Sequence, residues 1–278
     1  METAETFTCA DGANIHFRKS GPQNARARLL VIHGLGEHSG RYRPMVQELE
    51  KLGLQIWIPD LRGHGRSSGP RGHVLRFQTY IDDLQALTDI LLSAGTPDIP
   101  LFLLGHSMGG LIAFHLCLHL KETVRGLALS SPMFNLASDL PLALRLCSGI
   151  MSALRPCATI ANRVDPAGLS HDEAQVEAYL ADPLVHDRIS FRWLSECLRA
   201  NVATCGLAPS METPVLLQLA GADRIVNPSP SQRLFQNLAS GDKTMYVYEG
   251  YYHEIFNETP DRRATAIKDL CNWMAERI

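Results

Sequence analysis

The chain reads as an α/β fold, a mostly parallel sheet flanked by helices and interrupted by an inserted helical cap. Three observations predict it. Short β-branched or apolar runs alternate with longer amphipathic ones, the pattern of repeated βα units. An apolar run at residues 101–104 leads through a glycine-flanked serine into a helix-like segment. The alternation then fails between residues 131 and 210, where Pro132, Pro141, Pro156, Pro166 and Pro183 punctuate helical patterns without a good strand.

Taken in order, strands are predicted at residues 6–10, 14–18, 29–32, 54–58, 101–104, 124–129, 215–219 and 244–248. The later ones are near-continuous apolar runs, as strands buried on both faces of a parallel sheet must be. Helices are predicted at 42–52, 77–92, 107–120, 230–238 and 260–276, where apolar residues recur at helical spacing. The core therefore comprises residues 1–130 and 211–278, with a cap at 131–210. In the cap, Leu140, Leu144, Cys147, Met151 and Leu154 form one helical stripe, and Leu142, Leu146 and Ile150 a second. One face can cover the core; the other needs a partner. Two explanations stand side by side: an apolar tunnel with contact to a lipid surface, or ordinary cap packing and dimerisation.

Composition narrows the function classes. The 278 residues, 45% of them hydrophobic, can bury a large core, and a net charge of −3 argues against a nucleic-acid partner. Arginines such as Arg26 and Arg28 are read as solvated surface. No apolar run reaches the length of a membrane span, and the acidic start lacks a signal peptide's pattern, which points to a cytoplasmic protein. Seven widely spaced cysteines without a C-x-x-C pair read as reduced thiols. His115 and His119 stand one helical turn apart, but no Glu follows His115 as a zinc-protease helix requires, so no metal is expected.

The serine motif carries the chemistry. Gly105-His106-Ser107-Met108-Gly109 follows a strand and opens a helix, the setting of a nucleophile elbow whose sharp turn demands glycine two positions either side. Gly65-Arg66-Ser67-Ser68-Gly69 satisfies the same formula but lies in a turn-rich loop, so it is read as a connection. A nucleophilic serine needs a base, and the base an acid; in this class the chain order is Ser, then Asp or Glu, then His. Of eleven histidines, only His253 lies beyond the last strand, and it is the predicted base. His33 and His106 are assigned structural hydrogen bonds instead. Asp223, just past the carboxyl end of strand 215–219, is the predicted acid. Asp242 falls at the opposite edge, Asp139, Asp165, Asp172, Asp182 and Asp187 lie in the cap, and Asp60 is read as bracing its loop. Backbone N–H groups of Met108 and Leu35 are the predicted oxyanion donors.

These motifs resemble the monoacylglycerol lipase and lysophospholipase branch of the α/β-hydrolases across nearly the whole chain. The resemblance rests on His33-Gly34-Leu35-Gly36-Glu37-His38-Ser39-Gly40-Arg41-Tyr42, Pro59-Asp60-Leu61-Arg62-Gly63-His64-Gly65 and the Ser107 elbow. It continues through Tyr179-Leu180-Ala181-Asp182-Pro183-Leu184-Val185, Gly221-Ala222-Asp223 and His253. It implies an eight-stranded hydrolase sheet, a helical lid over an apolar acyl tunnel, no cofactor, and a small acyl-ester substrate with a glycerol-type head group. The expected reaction is hydrolysis of a monoacylglycerol to glycerol and a fatty acid; a lysophospholipase or short-chain carboxylesterase, then a proline-releasing peptidase and a hydrolase-like small-molecule receptor, are the alternatives.

Overall fold

The computed structural model describes residues 2–94, 99–136, 140–162 and 164–278. Ten strands are described: β1 Thr3–Thr8, β2 Asn14–Ser20, β3 Ala27–Ile32, β4 Leu54–Pro59, β5 Leu101–His106, β6 Val124–Ser130, β7 Thr159–Ala161, β8 Arg188–Ser190, β9 Val215–Ala220 and β10 Lys243–Tyr248. The helices are α1 Arg43–Glu50, α2 Gln78–Ser93, α3 Met108–Leu120, α4 Leu142–Leu154, α5 Glu173–Ala181, α6 Phe191–Leu207, α7 Pro228–Gln236 and α8 Pro260–Ala275. Eight strands form one sheet in the order β1-β2-β4-β3-β5-β6-β9-β10. Only β2 pairs antiparallel to its neighbours β1 and β4; every pair from β4 to β10 is parallel.

The period-2 geometry of a strand explains the two cores. Leu30, Ile32, Leu101 and Leu103 point to the face covered by α2 and α3, while Leu29, Val31, Phe102 and Leu104 point to the face covered by α1 and α8. Both faces are therefore dry. Helix α3 is buried nearly all round, from Met108 to Leu120, as befits the helix that carries the elbow through the middle of the domain.

The first strand is displaced from its predicted position. Cys9 and Ala10 belong to the hairpin turn, closed by Cys9 N to Ala13 O at 2.8 Å and Gly12 N to Cys9 O at 2.9 Å, so pairing stops at Thr8. Arg28 is also corrected. It is 1% exposed, not solvated, and its guanidinium donates to Ala94 O at 2.7 Å.

Between β6 and β9 the chain leaves the sheet and covers its carboxyl rim with α4, α5, α6 and a two-stranded ribbon. The expectation of no strand there is corrected, because β7 and β8 pair antiparallel from Thr159–Ser190 to Ala161–Arg188. Asp139 lies outside the described residues. The stripes of α4 are corrected too. Leu140 and Leu144 pack inward, while Leu154 joins Leu142, Leu146 and Ile150 on a face 62–73% exposed, and Cys147 is exposed. Among the described residues all seven cysteines are free thiols, and no helix is long and apolar enough to cross a membrane.

Candidate active site

Ser107 sits at the end of β5 with φ 53° and ψ −118°, a left-handed conformation that a non-glycine residue holds only under constraint. Hydrogen bonds supply the constraint. Ser107 N donates to Ser130 O at 3.0 Å, and Met133 N donates to Ser107 O at 2.9 Å. A Cβ at Gly105 would lie 2.3 Å from Gly109 O, and one at Gly109 would lie 2.0 Å from Ile32 O. The flanking glycines thus let α3 press against both β5 and the end of β3.

His253 and Asp223, thirty residues apart, meet at the same rim: Nδ1 of His253 lies 2.7 Å from Asp223 Oδ2. The other carboxylate oxygen accepts from Ile225 N and Val226 N, both at 2.8 Å, which fixes the acid's orientation. Burial alone would raise the Asp223 carboxyl, but His253 and those donors hold it below the usual carboxylate range. Burial likewise opposes the His253 imidazolium, yet Asp223, Glu254 and Glu37 together raise its pKa. An imidazole so held is a base primed to take a proton.

Ser107 and His253 line one cavity. Among the described residues the Ser107 hydroxyl makes no hydrogen bond; in substrate-free enzymes this contact is often loose and tightens on binding. Leu35 lines the cavity as well, and its N–H, like that of Met108 at the first position of α3, makes no backbone hydrogen bond among the described residues. All five predicted site residues therefore gather at the carboxyl rim of β3, β5, β9 and β10.

The decoys resolve as structural groups. Ser67 donates to Asp60 O and accepts from His16 N at 2.9 Å. Asp60 accepts from Ser39 N and Arg66 N, each at 2.8 Å. His33 Nε2 accepts from Leu61 N at 2.9 Å, and His106 Nδ1 lies 3.1 Å from Ser130 Oγ. His115 is engaged by Thr204 Oγ1 at 3.0 Å and Ala200 O at 3.2 Å on α6.

A buried ionic cluster behind the oxyanion loop was not assigned from the residues. Glu37 accepts from Gly34 N at 2.6 Å and Tyr42 Oη at 2.7 Å, and pairs with Arg41 at 3.2 Å. Arg41 also makes a two-pronged pair with Glu254, one prong at 2.8 Å, and stacks 4.7 Å over the Tyr179 ring. Glu37 and Arg41 four residues apart gave a local signal; Glu254, 213 positions from Arg41, gave none. Hydrogen bonds tie the segment between β6 and β9 to the loops around this cluster. His186 N donates to Gly36 O at 2.9 Å beside a His38–Asp182 contact of 2.8 Å, and Glu254 N donates to Leu169 O at 2.8 Å.

The cavity, about 460 Å³, is polar at Ser107, His253, Glu37 and Glu254 and apolar beyond, along Leu140, Leu144, Ile160, Ile189, Phe191 and Leu194. Its size suits one small ligand, since ligand pockets span about 300–1,000 Å³. A serine and an imidazole at the polar end of an apolar slot, with a carboxylate behind the imidazole, can run acyl transfer on an ester with one long chain.

Residues 23–260 match the family model Hydrolase_4, described as Serine aminopeptidase, S33. The chain belongs to this family. Within Hydrolase_4 it is 34% identical over 238 residues to Phospholipase YtpA of Bacillus subtilis, covering 85% of this chain and 90% of that one. It is 30% identical over 272 residues to Monoglyceride lipase of Rattus norvegicus, 97% and 89% of the two chains. An uncharacterized abhydrolase domain-containing protein of Dictyostelium discoideum is 35% identical over 254 residues, 91% of this chain, which spans only 26% of that longer protein. Among solved structures, the monoacylglycerol lipase of Paleococcus ferrophilus superposes with a TM-score of 0.84 at 29% identity over the full length of both chains. The chain is thus a Hydrolase_4 protein of the monoacylglycerol lipase branch of the α/β-hydrolases.

Proposed function

We propose that this Hydrolase_4 protein hydrolyses the acyl ester of monoacylglycerols, releasing glycerol and a fatty acid through an acyl-enzyme. Its nucleophile is Ser107, its base His253 and its orienting acid Asp223. The observation that carries the reading is that His253, bonded to Asp223 behind it, lines with the strained Ser107 the polar end of an otherwise largely apolar cavity.

Ser107 Oγ attacks the ester carbonyl as its proton passes to His253 Nε2, and Asp223 stabilises the imidazolium. The N–H groups of Leu35 and Met108 receive the developing oxyanion, a contribution of a few kcal/mol each. The tetrahedral intermediate collapses, His253 returns the proton to the departing glycerol oxygen, and water repeats the cycle on the acyl-enzyme with the fatty acid leaving. No cofactor enters these steps.

The reading treats residues 1–130 and 211–278 as the catalytic core and 131–210 as a cap whose α4 and ribbon wall the acyl slot. The outward apolar face of α4 supports contact with a lipid surface, from which a monoacylglycerol enters. The named activity of the rat and Paleococcus relatives supports a glycerol head group, while that of YtpA, a phospholipase, supports a phospholipid substrate instead. Assaying monoacylglycerols, lysophospholipids, p-nitrophenyl esters and prolyl amides side by side, with Ser107→Ala as blank, tests the assignment. Monoacylglycerol is expected to turn over fastest, with the blank inactive. Faster turnover of the amide, or equal activity in the blank, contradicts it.

A further inference from the structure

We infer that the polar end of the cavity sorts substrates by charge: Glu37 and Glu254 exclude anionic head groups and admit uncharged or cationic alcohols. The inference rests on the ester-hydrolase reading above and goes beyond it to the class of leaving group.

Both carboxylates line the cavity, and among the described residues no lysine or arginine does. Arg41, the cation that offsets them, stands behind the wall with 8% of its side chain exposed, held by both glutamates and capped by Tyr179. Every group on Glu37 is a donor: Gly34 N, Tyr42 Oη and Arg41 Nη1. Burial first, and the carboxylate beside it second, keep the Tyr42 hydroxyl protonated and donating. On Glu254, burial works against ionisation, but Arg41 and the amide of Asn257, 3.0 Å away, outweigh it and hold the carboxyl well below its usual range. The cluster thus carries two negative charges and one positive. In the active form, with His253 neutral, Asp223 adds another negative charge behind it, so that form of the site faces the leaving group with a net deficit of positive charge.

Glu254 owes its place to the base itself, being the next residue, and its own N–H is pinned to Leu169 O. A phosphate attached to the glycerol would have to settle against these carboxylates in a site with little water to screen them, where like charges repel strongly. Glycerol hydroxyls are donors and meet acceptors. The same charge acts on the product, because a freed fatty acid ionises beside Glu254 and is driven out.

The test uses the wild-type protein and three substrates with one acyl chain: 1-oleoylglycerol, 1-oleoylglycerol 3-phosphate and oleoylcholine. The expected kcat/KM for the phosphate is at least 100-fold below that for oleoylglycerol, with oleoylcholine within tenfold of it. Equal values for the phosphate and oleoylglycerol overturn the inference. Failure on oleoylglycerol together with cleavage of oleoylcholine contradicts the monoacylglycerol reading while upholding the charge selection. In Glu254→Gln the gap between phosphate and oleoylglycerol should narrow at least tenfold, about 1.4 kcal/mol. Should that variant fail to fold, product inhibition of the wild type decides. Oleate should inhibit at least tenfold more weakly than oleyl alcohol, and equal inhibition overturns the inference.

Discussion

At the scale of single residues, the site is a set of backbone and side-chain constraints converging on Ser107. A serine at φ 53° costs on the order of 1–3 kcal/mol, tolerated because β6 and the flanking glycines determine the turn from all sides. Its base has a pKa raised above the ordinary 6.5, chiefly by Asp223 acting against burial. The protonated imidazole cannot accept the serine proton, so kcat/KM should rise with pH through that pKa. The acid limb is therefore expected above pH 6.5, measured with a short soluble ester. Asp223→Asn should lower that limb and cut kcat by about 10³–10⁴-fold through loss of the tautomer the base needs. A limb at or below 6.5 in the wild type would mean that Asp223 does not act on His253.

The elements divide into those whose sequence announces them and those whose partners do so. Strands β3 to β6 and β9 were legible because a parallel strand buried on both faces must be apolar throughout, and the elbow because its glycines answer a steric demand. The ribbon β7–β8 was not, since three-residue strands with exposed ends, such as Thr159–Ala161, carry no readable period. In α4 the amphipathic spacing was visible but not its orientation: packing on the acyl slot assigns Leu144 inward and leaves Leu146 and Ile150 to solvent. Leu146→Glu with Ile150→Glu is accordingly expected to weaken sedimentation with phospholipid vesicles severalfold while leaving p-nitrophenyl butyrate hydrolysis intact. Loss of both would indicate that this face packs rather than touches lipid. A shift from dimer to monomer, with vesicle binding unchanged, would assign it to self-association.

Across the whole molecule, one ionic cluster joins the loop after β3, the loop after β10 and the cap, and no local pattern in the chain pairs residues so far apart. Glu37 and Arg41 were visible as neighbours, but that their second carboxylate is Glu254 follows only from the sheet order that brings β3 and β10 loops to one rim. Arg41→Met strands two buried carboxylates and should lower unfolding free energy by about 3–5 kcal/mol in urea titration. A loss under 1 kcal/mol would show that water reaches the cluster freely. The carboxyls of Asp60, Asp223 and Glu254 all sit below their usual range. Each adds stability at pH above its unfolded value, 4.5 for Glu254, and forfeits it as pH falls through the lower folded value. Thermal midpoints should therefore decline below about pH 4.5, and less steeply in Glu254→Gln.

The central claim, that Ser107 is the nucleophile and the similarly framed Ser67 is not, is most directly tested by reacting the protein with a fluorophosphonate and mapping the adduct by peptide mass spectrometry. One adduct on Ser107, formed in step with loss of esterase activity and absent in His253→Ala, is the predicted result. An adduct on Ser67, or full inactivation with Ser107 unmodified, would contradict the account.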